Sequence, residues 1–209
     1  MRLFIAIGIC FSLFVTAPAV AASSAGASIA PAQPPASGQA ASWIPLPPNP
    51  TFITSDTWAA NGQIYRLYGV QSCLRGTYLT NAHGINRDCG EISLAMLISY
   101  VRSLKPLCTT IARTPATHEN FVVCVATLTI PPHKVTRIYL GTALIAGGWA
   151  FAALAPDGRP FHYPNAVAES VAQKSHAGLW QFPDTPDPNA AILSALHQAH
   201  INLASPPAR

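Results

Sequence analysis

Arg66 stands in the middle of the run Gln63-Ile-Tyr-Arg-Leu-Tyr-Gly-Val-Gln-Ser-Cys73, and Asp56-Thr57 lies ten residues upstream of it. A carboxylate ligates hard cations and a guanidinium neutralises charge on phosphate oxygens, so the pair has the residue types of phosphodiester chemistry. Such chemistry also needs a group that orients or deprotonates water. The plainer reading of a mid-strand arginine is a rim residue with a buried stem. What sets Arg66 apart is its sequel: Cys73, Cys89-Gly90, Gly147-Gly148-Trp149-Ala150 and Gly178-Leu179-Trp180 follow in order.

Other chemistry-bearing residues are weaker candidates. The seven histidines are scattered, at 83, 118, 133, 162, 176, 197 and 200. Only His197 and His200 fall on one helical face, where solvated side chains are the commoner outcome. Apart from Cys10, the cysteines are Cys73, Cys89, Cys108 and Cys124. No two of these form a C-x2-C or C-x4-C pair, which disfavours zinc. An even number in an exported chain indicates two disulfides. Local pairing, Cys73 with Cys89 and Cys108 with Cys124, is the expectation, with the two other connectivities open. Asp88 and Glu91 read as a capping box rather than as metal ligands. Trp58, Tyr65, Tyr68 and Tyr78 could stack on bases or sugars, but strand aromatics more often pack.

These residues must be positioned by a small number of elements. Asn61-Gly62 between Thr57–Ala59 and Ile64–Val70 is a hairpin signal. Trp43–Ile53, broken by prolines at 45, 47, 48 and 50, reads as an edge strand. Residues 71–88 read as a polar loop. Leu94, Leu97, Ile98, Val101 and Leu104 recur at helical spacing until Lys105-Pro106. Leu107–Ile111 and Phe121–Thr129 read as a long hairpin. Ile138–Ala146 follows as a short helix with Thr136 as its N-cap, and Trp149–Leu154 as an extended segment. Pro164 opens a further helix, and Ala190–Leu203 carries Ile192, Leu193, Leu196, Ala199 and Leu203 on one stripe. Strands, a helix, strands, then helices define an α+β order with one core.

The N-terminus predicts export. Met1-Arg2, an apolar run from Leu3 to Val15 and Ala19-Val20-Ala21 have the form of a signal peptide over 1–21. An uncleaved anchor is the alternative, and no later segment is apolar enough to span a membrane. Residues 22–50 contain seven prolines and no charge, the composition of a mobile linker. Removing Arg2 leaves 11 Lys+Arg against 8 Asp+Glu, a net charge of +3 with no cluster along the chain. That is a thin footprint for a nucleic-acid binder.

Taken as a set, Asp56-Thr57, Arg66-Leu67, Gly69-Val70, Cys89-Gly90, Gly147–Ala150 and Gly178–Trp180 resemble the staphylococcal nuclease-like family in its secreted bacterial form. There the pattern runs D-G-D-T, R-L-x-G-[IV]-D-[AT]-P-E, C-G, G-W-A and G-L-W. The resemblance implies a five-stranded oligonucleotide/oligosaccharide-binding (OB) barrel with three helices over 51–182, followed by an extension over 183–209 with an appended amphipathic helix. It also implies a calcium ion held by carboxylates, a glutamate acting on water and two arginines on phosphate.

Transferred to this chain, the second aspartate of D-G-D-T falls on Asp56 and the first arginine on Arg66. The next aspartate falls on Gln71, the threonine on Ser72, the proline on Cys73 and the general-base glutamate on Leu74. The second arginine falls on Glu119. Leucine cannot take a proton, Gln71 is a poor calcium ligand, and a carboxylate at 119 repels phosphate. The expectation is therefore a periplasmic or secreted pseudo-nuclease that binds an envelope or secreted protein, needing no cofactor. The competing expectations are an altered metal-dependent phosphodiesterase, which would use calcium, and a nucleic-acid binder.

Overall fold

The computed structural model describes residues 42–204 except 82, 116 and 132–133. For residues 130 and 200–204 it describes the backbone alone. The predicted signal peptide, residues 22–41 of the predicted linker and His133 lie outside the described residues.

The spine is β9 (Glu119–Ile130). Its first half pairs with β8 (Leu107–Arg113) in antiparallel and with β4 (Gln63–Leu67) in parallel, and its second half pairs with β10 (Lys134–Tyr139). The sheet continues from β4 to β3 (Thr57–Ala60) and β2 (Thr51–Phe52), and from β8 to β1 (Ile44–Pro45). The two ends of this order, β1 and β2, are joined by residues 46–50 alone, so the sheet curls back toward itself. Prolines cannot donate to a strand ladder. They divide the predicted first strand into two pieces of two residues, one on each edge.

Alternation sorts the spine's side chains. Val122, Cys124 and Ala126 are buried with Leu67 of β4 and Trp58 of β3. Two helices cover this face, α1 (Cys89–Leu104) through Leu97 and α2 (Leu140–Ala146) through Leu140, Leu144 and Ile145. Asp88 caps α1, its Oδ1 accepting the Glu91 N–H at 3.0 Å, and Lys105 in the left-handed region with φ 45° ends the helix before Pro106. A second cluster joins Leu79, Phe151 and Leu179 to the Cys73–Cys89 pair. The fold is mixed α+β, with four α-helices among the described residues.

Two expectations need correction. Residues 71–88 are not a plain loop, because β5 (Val70–Gln71) pairs with β11 (Phe151–Ala152), and β6 (Tyr78–Thr80) pairs with β7 (Asn86–Asp88). Asn81 makes that small hairpin turn, its Oδ1 accepting the His83 and Ile85 N–H groups, each at 2.9 Å. Residues 138–139 belong to β10 rather than to a helix. Thr136 pairs with Leu128 there, leaving Tyr139 at the N-cap of α2 without a side-chain cap bond. The stripe of α4 (Pro188–Ala204) is covered in its first half, where Ile192 and Leu193 are half-buried, and open in its second. Pro188 and Asn189 are buried and Asn189 Nδ2 donates to the Ala152 carbonyl at 2.9 Å, but Leu196 is 47% exposed and Ala199 is exposed.

Both expected local disulfides are present. Cys108–Cys124 joins residues directly opposed on β8 and β9, with Cα atoms 4.0 Å apart. Cys73–Cys89 ties the segment after β5 to the first residue of α1, across a sequence separation of 16. Closing a loop of this length stabilises by roughly 3 kcal/mol in the chain-entropy model. The Cys73→Ser/Cys89→Ser double variant is expected to lose about that much, read as a lower urea midpoint with an intact Cys108–Cys124 bond.

Candidate functional site

The centre forms where β3 meets β4. Asn61 and Gly62 both have positive φ, 50° and 71°, the conformation a two-residue hairpin turn requires. That turn sets Thr57 opposite Arg66, and the Leu67 N–H donates to the Asp56 carbonyl at 2.8 Å. Asp56 is only 1% exposed. Its Oδ1 accepts the hydroxyls of Thr54 and Thr57, and its Oδ2 accepts Arg66 Nε at 3.1 Å. Arg66 Nη2 donates to Gln71 Oε1 at 3.1 Å, and Gln71 Nε2 donates to the Ser72 carbonyl, also at 3.1 Å. Threonine hydroxyls, carboxylate, guanidinium and amide thus form one continuous chain of bonds. Gln71 and Ser72 are buried, and the Arg66 side chain keeps 31% exposure.

The other positions are distributed around this cluster. Leu74 lies outside it, 38% exposed, just past the disulfide-bonded Cys73. Glu119 pairs in register with Ile64, two residues before Arg66, so Glu119 and Arg66 project from the same face of the β4–β9 pair. Arg66 nonetheless makes its ion pair with Asp56, while among the described residues the Glu119 carboxylate accepts only a long 3.4 Å bond from the Thr117 hydroxyl. Asp88 is committed elsewhere, its Oδ2 accepting the Gly76 N–H at 2.8 Å. Burial opposes its charge, but the Gly76 and Glu91 N–H groups outweigh this and hold its carboxyl below the ordinary value. Among the described residues no three His, Cys, Asp or Glu side chains gather as a metal cluster. Calcium takes six to eight oxygen ligands, roughly, and in this cluster one carboxylate is present, already bonded through both oxygens.

The aromatic residues divide between packing and surface. Trp58 is buried and stacks on Tyr65 with ring centroids 6.0 Å apart. Tyr68 meets Phe161 edge-on and donates its hydroxyl to the Phe161 carbonyl at 3.2 Å. Tyr78 is exposed on the β6–β7 hairpin. With Trp58 inside the core, the four do not line one open surface. The glycine motifs, in contrast, come together. The Leu179 N–H donates to the Gly148 carbonyl at 2.9 Å, and a side chain at Gly148 or Gly178 would overlap the backbone of the other segment.

Sequence reasoning passed over Glu169. It lies on α3 (Tyr163–Lys174), four residues after buried Asn165 and three before buried Ala172, and that inward spacing was its available signal. Glu169 Oε1 accepts the Ala152 N–H at 3.3 Å, while Asn189 of α4 takes the carbonyl of the same residue. Burial, followed by the nearby Asp187 carboxylate, pushes the Glu169 carboxyl up to about 7 despite that N–H.

No family model matches this chain, and no curated protein matches it.

Because the folded state holds the Glu169 proton more tightly than the unfolded chain, its stabilising effect is complete below the ordinary carboxyl value of 4.5 and is lost as pH rises through about 7. Thermal melts are therefore expected to show a midpoint that declines between acidic and neutral pH. Glu169→Gln, which cannot ionise, should flatten that decline. An unchanged pH profile in the variant would remove Glu169 as its source.

Proposed function

We propose that this chain is an exported staphylococcal nuclease-like domain whose catalytic centre has become a structural ion pair, and that it works as a binding module at the cell envelope. The observation that carries the reading is the closed bonding of Asp56. The carboxylate that would hold a metal and the arginine that would meet phosphate are engaged with each other, and Gln71 occupies a further arm of the guanidinium. Leu74 has no group to activate water, and Glu119 brings negative charge to the same sheet face.

The strand order supports the scaffold assignment. With β1 and β2 taken as one strand divided by prolines, the sheet runs first, fourth, fifth, third, second, with the third and fifth parallel and α1 between the third and fourth. That order fits an OB barrel. Two disulfides suit an oxidising compartment, periplasmic or extracellular. A protein partner of the envelope or secreted fraction is the ligand this reading favours.

The test is hydrolysis of DNA and RNA in calcium by the exported protein. No cleavage above background is expected, and Asp56→Ala should leave that baseline where it is. Arg66→Ala is expected to act on stability instead, lowering it by roughly 2 kcal/mol, since it leaves a buried carboxylate short of its charged donor. Calcium-dependent turnover lost in either variant would establish the enzymatic reading in its place.

A further inference from the structure

Arg102 and Lys105 from the end of α1 and Arg137 from β10 come together at one end of the fold. Lys105, at the C-terminal end of α1, lines two adjoining grooves on either side of β1. One, of about 550 Å³, is walled by Trp43, Leu107 and Tyr139, with Arg137 beside Lys105. The other, of about 660 Å³, runs between the proline strap and α1, with Leu46, Phe52 and Val101 as its apolar wall and Arg102 at its rim. No acidic residue lines either groove. The chain has no Asp or Glu before Asp56, between Glu91 and Glu119, or between Glu119 and Asp157, which are the stretches that build this end. Among the described residues none of the three cations has an ion-pair partner.

The apolar residues here are also unusually open. Trp43 is 44% exposed, Ile44 53%, Leu107 43% and Tyr139 54%. β10 extends the surface, because its alternate residues Val135, Arg137 and Tyr139 all face outward. A patch of large apolar side chains interleaved with unpaired cations is costly in water and calls for a complementary surface.

We infer that this end of the fold docks on an anionic lipid bilayer surface. Trp43 and Tyr139 would take the headgroup level, where amphipathic rings are favoured, and Ile44, Leu107 and Val135 the acyl boundary below it. Lys105, Arg137 and Arg102 meet the anionic headgroups. The aliphatic members decide against a single-stranded nucleic acid, which would reward stacking rings in a groove but gains little from Ile44, Leu107 and Val135. None of the residues used here belongs to the Asp56–Arg66 centre, so the inference stands whatever that centre does.

The experiment is co-sedimentation of the protein recovered after export with vesicles of phosphatidylcholine alone or mixed with phosphatidylglycerol. Binding to the mixed vesicles is expected to be about tenfold tighter or more, and to weaken as salt rises. Lys105→Glu/Arg137→Glu should abolish that preference. Trp43→Ser should weaken binding to the mixed vesicles while keeping the salt dependence. Both variants change exposed side chains, and an unaltered near-ultraviolet circular dichroism spectrum checks that they fold. Equal binding to both vesicle types, no binding to either, or an anionic preference that survives charge reversal would overturn the inference. So would retention of a single-stranded oligonucleotide by the same cations without vesicle binding.

Discussion

A carboxylate in the interior is the constraint around which this centre is arranged. Asp56 is almost wholly removed from solvent, and an ionised group there is tolerated only with charge and donors supplied around it. The chain supplies them from three directions. Thr54 and Thr57 flank Asp56 in sequence, Arg66 comes from the facing strand, and Gln71 holds Arg66 from beyond the next turn. Each donor depends on a different backbone feature, respectively the bend before β3, the Asn61-Gly62 turn and the β5–β11 pairing. The ion pair therefore couples the start of the sheet to the segment that leads into the Cys73–Cys89 bond.

The same economy governs the rest of the domain. β9 gives its two edges to three strands, and its buried face receives both covering helices. A spine with so many partners leaves little tolerance for sliding, and Cys108–Cys124 holds the start of β8 in register with the middle of β9. The split of the first strand shows where regularity gives way. Four prolines between 45 and 50 remove donors from that segment, so the two sheet edges are bridged by a strap rather than by a continuous ladder.

How much of this was legible depended on whether the signal was local. The Asn61-Gly62 hairpin, the capped helix from Asp88 and both cysteine pairs could be read because their partners lie within a few turns of chain. The ten-residue interval from Asp56 to Arg66 spans a single hairpin, so their meeting was accessible as well. The β6–β7 hairpin escaped because it is polar and pinned by an asparagine side chain rather than by alternation. Thr136 was misread as a cap because its strand partner, Leu128, lies across a turn whose geometry the composition does not encode. Glu169 and the Lys105–Arg137–Arg102 group depend on helices and strands converging from distant stretches. A count of charge along the chain, spread and modest, could not show either.

The meeting of Gly148 and Gly178 has a wider implication. Two backbones approach so closely there that neither position has room for a side chain, and Leu179 bonds directly to Gly148. Glycines of this kind register a crossing of two main chains, some distance in sequence from any group that moves a proton or holds a metal. A signature built on them is a record of shape. It says how the chain is assembled before it says anything about what the chain does.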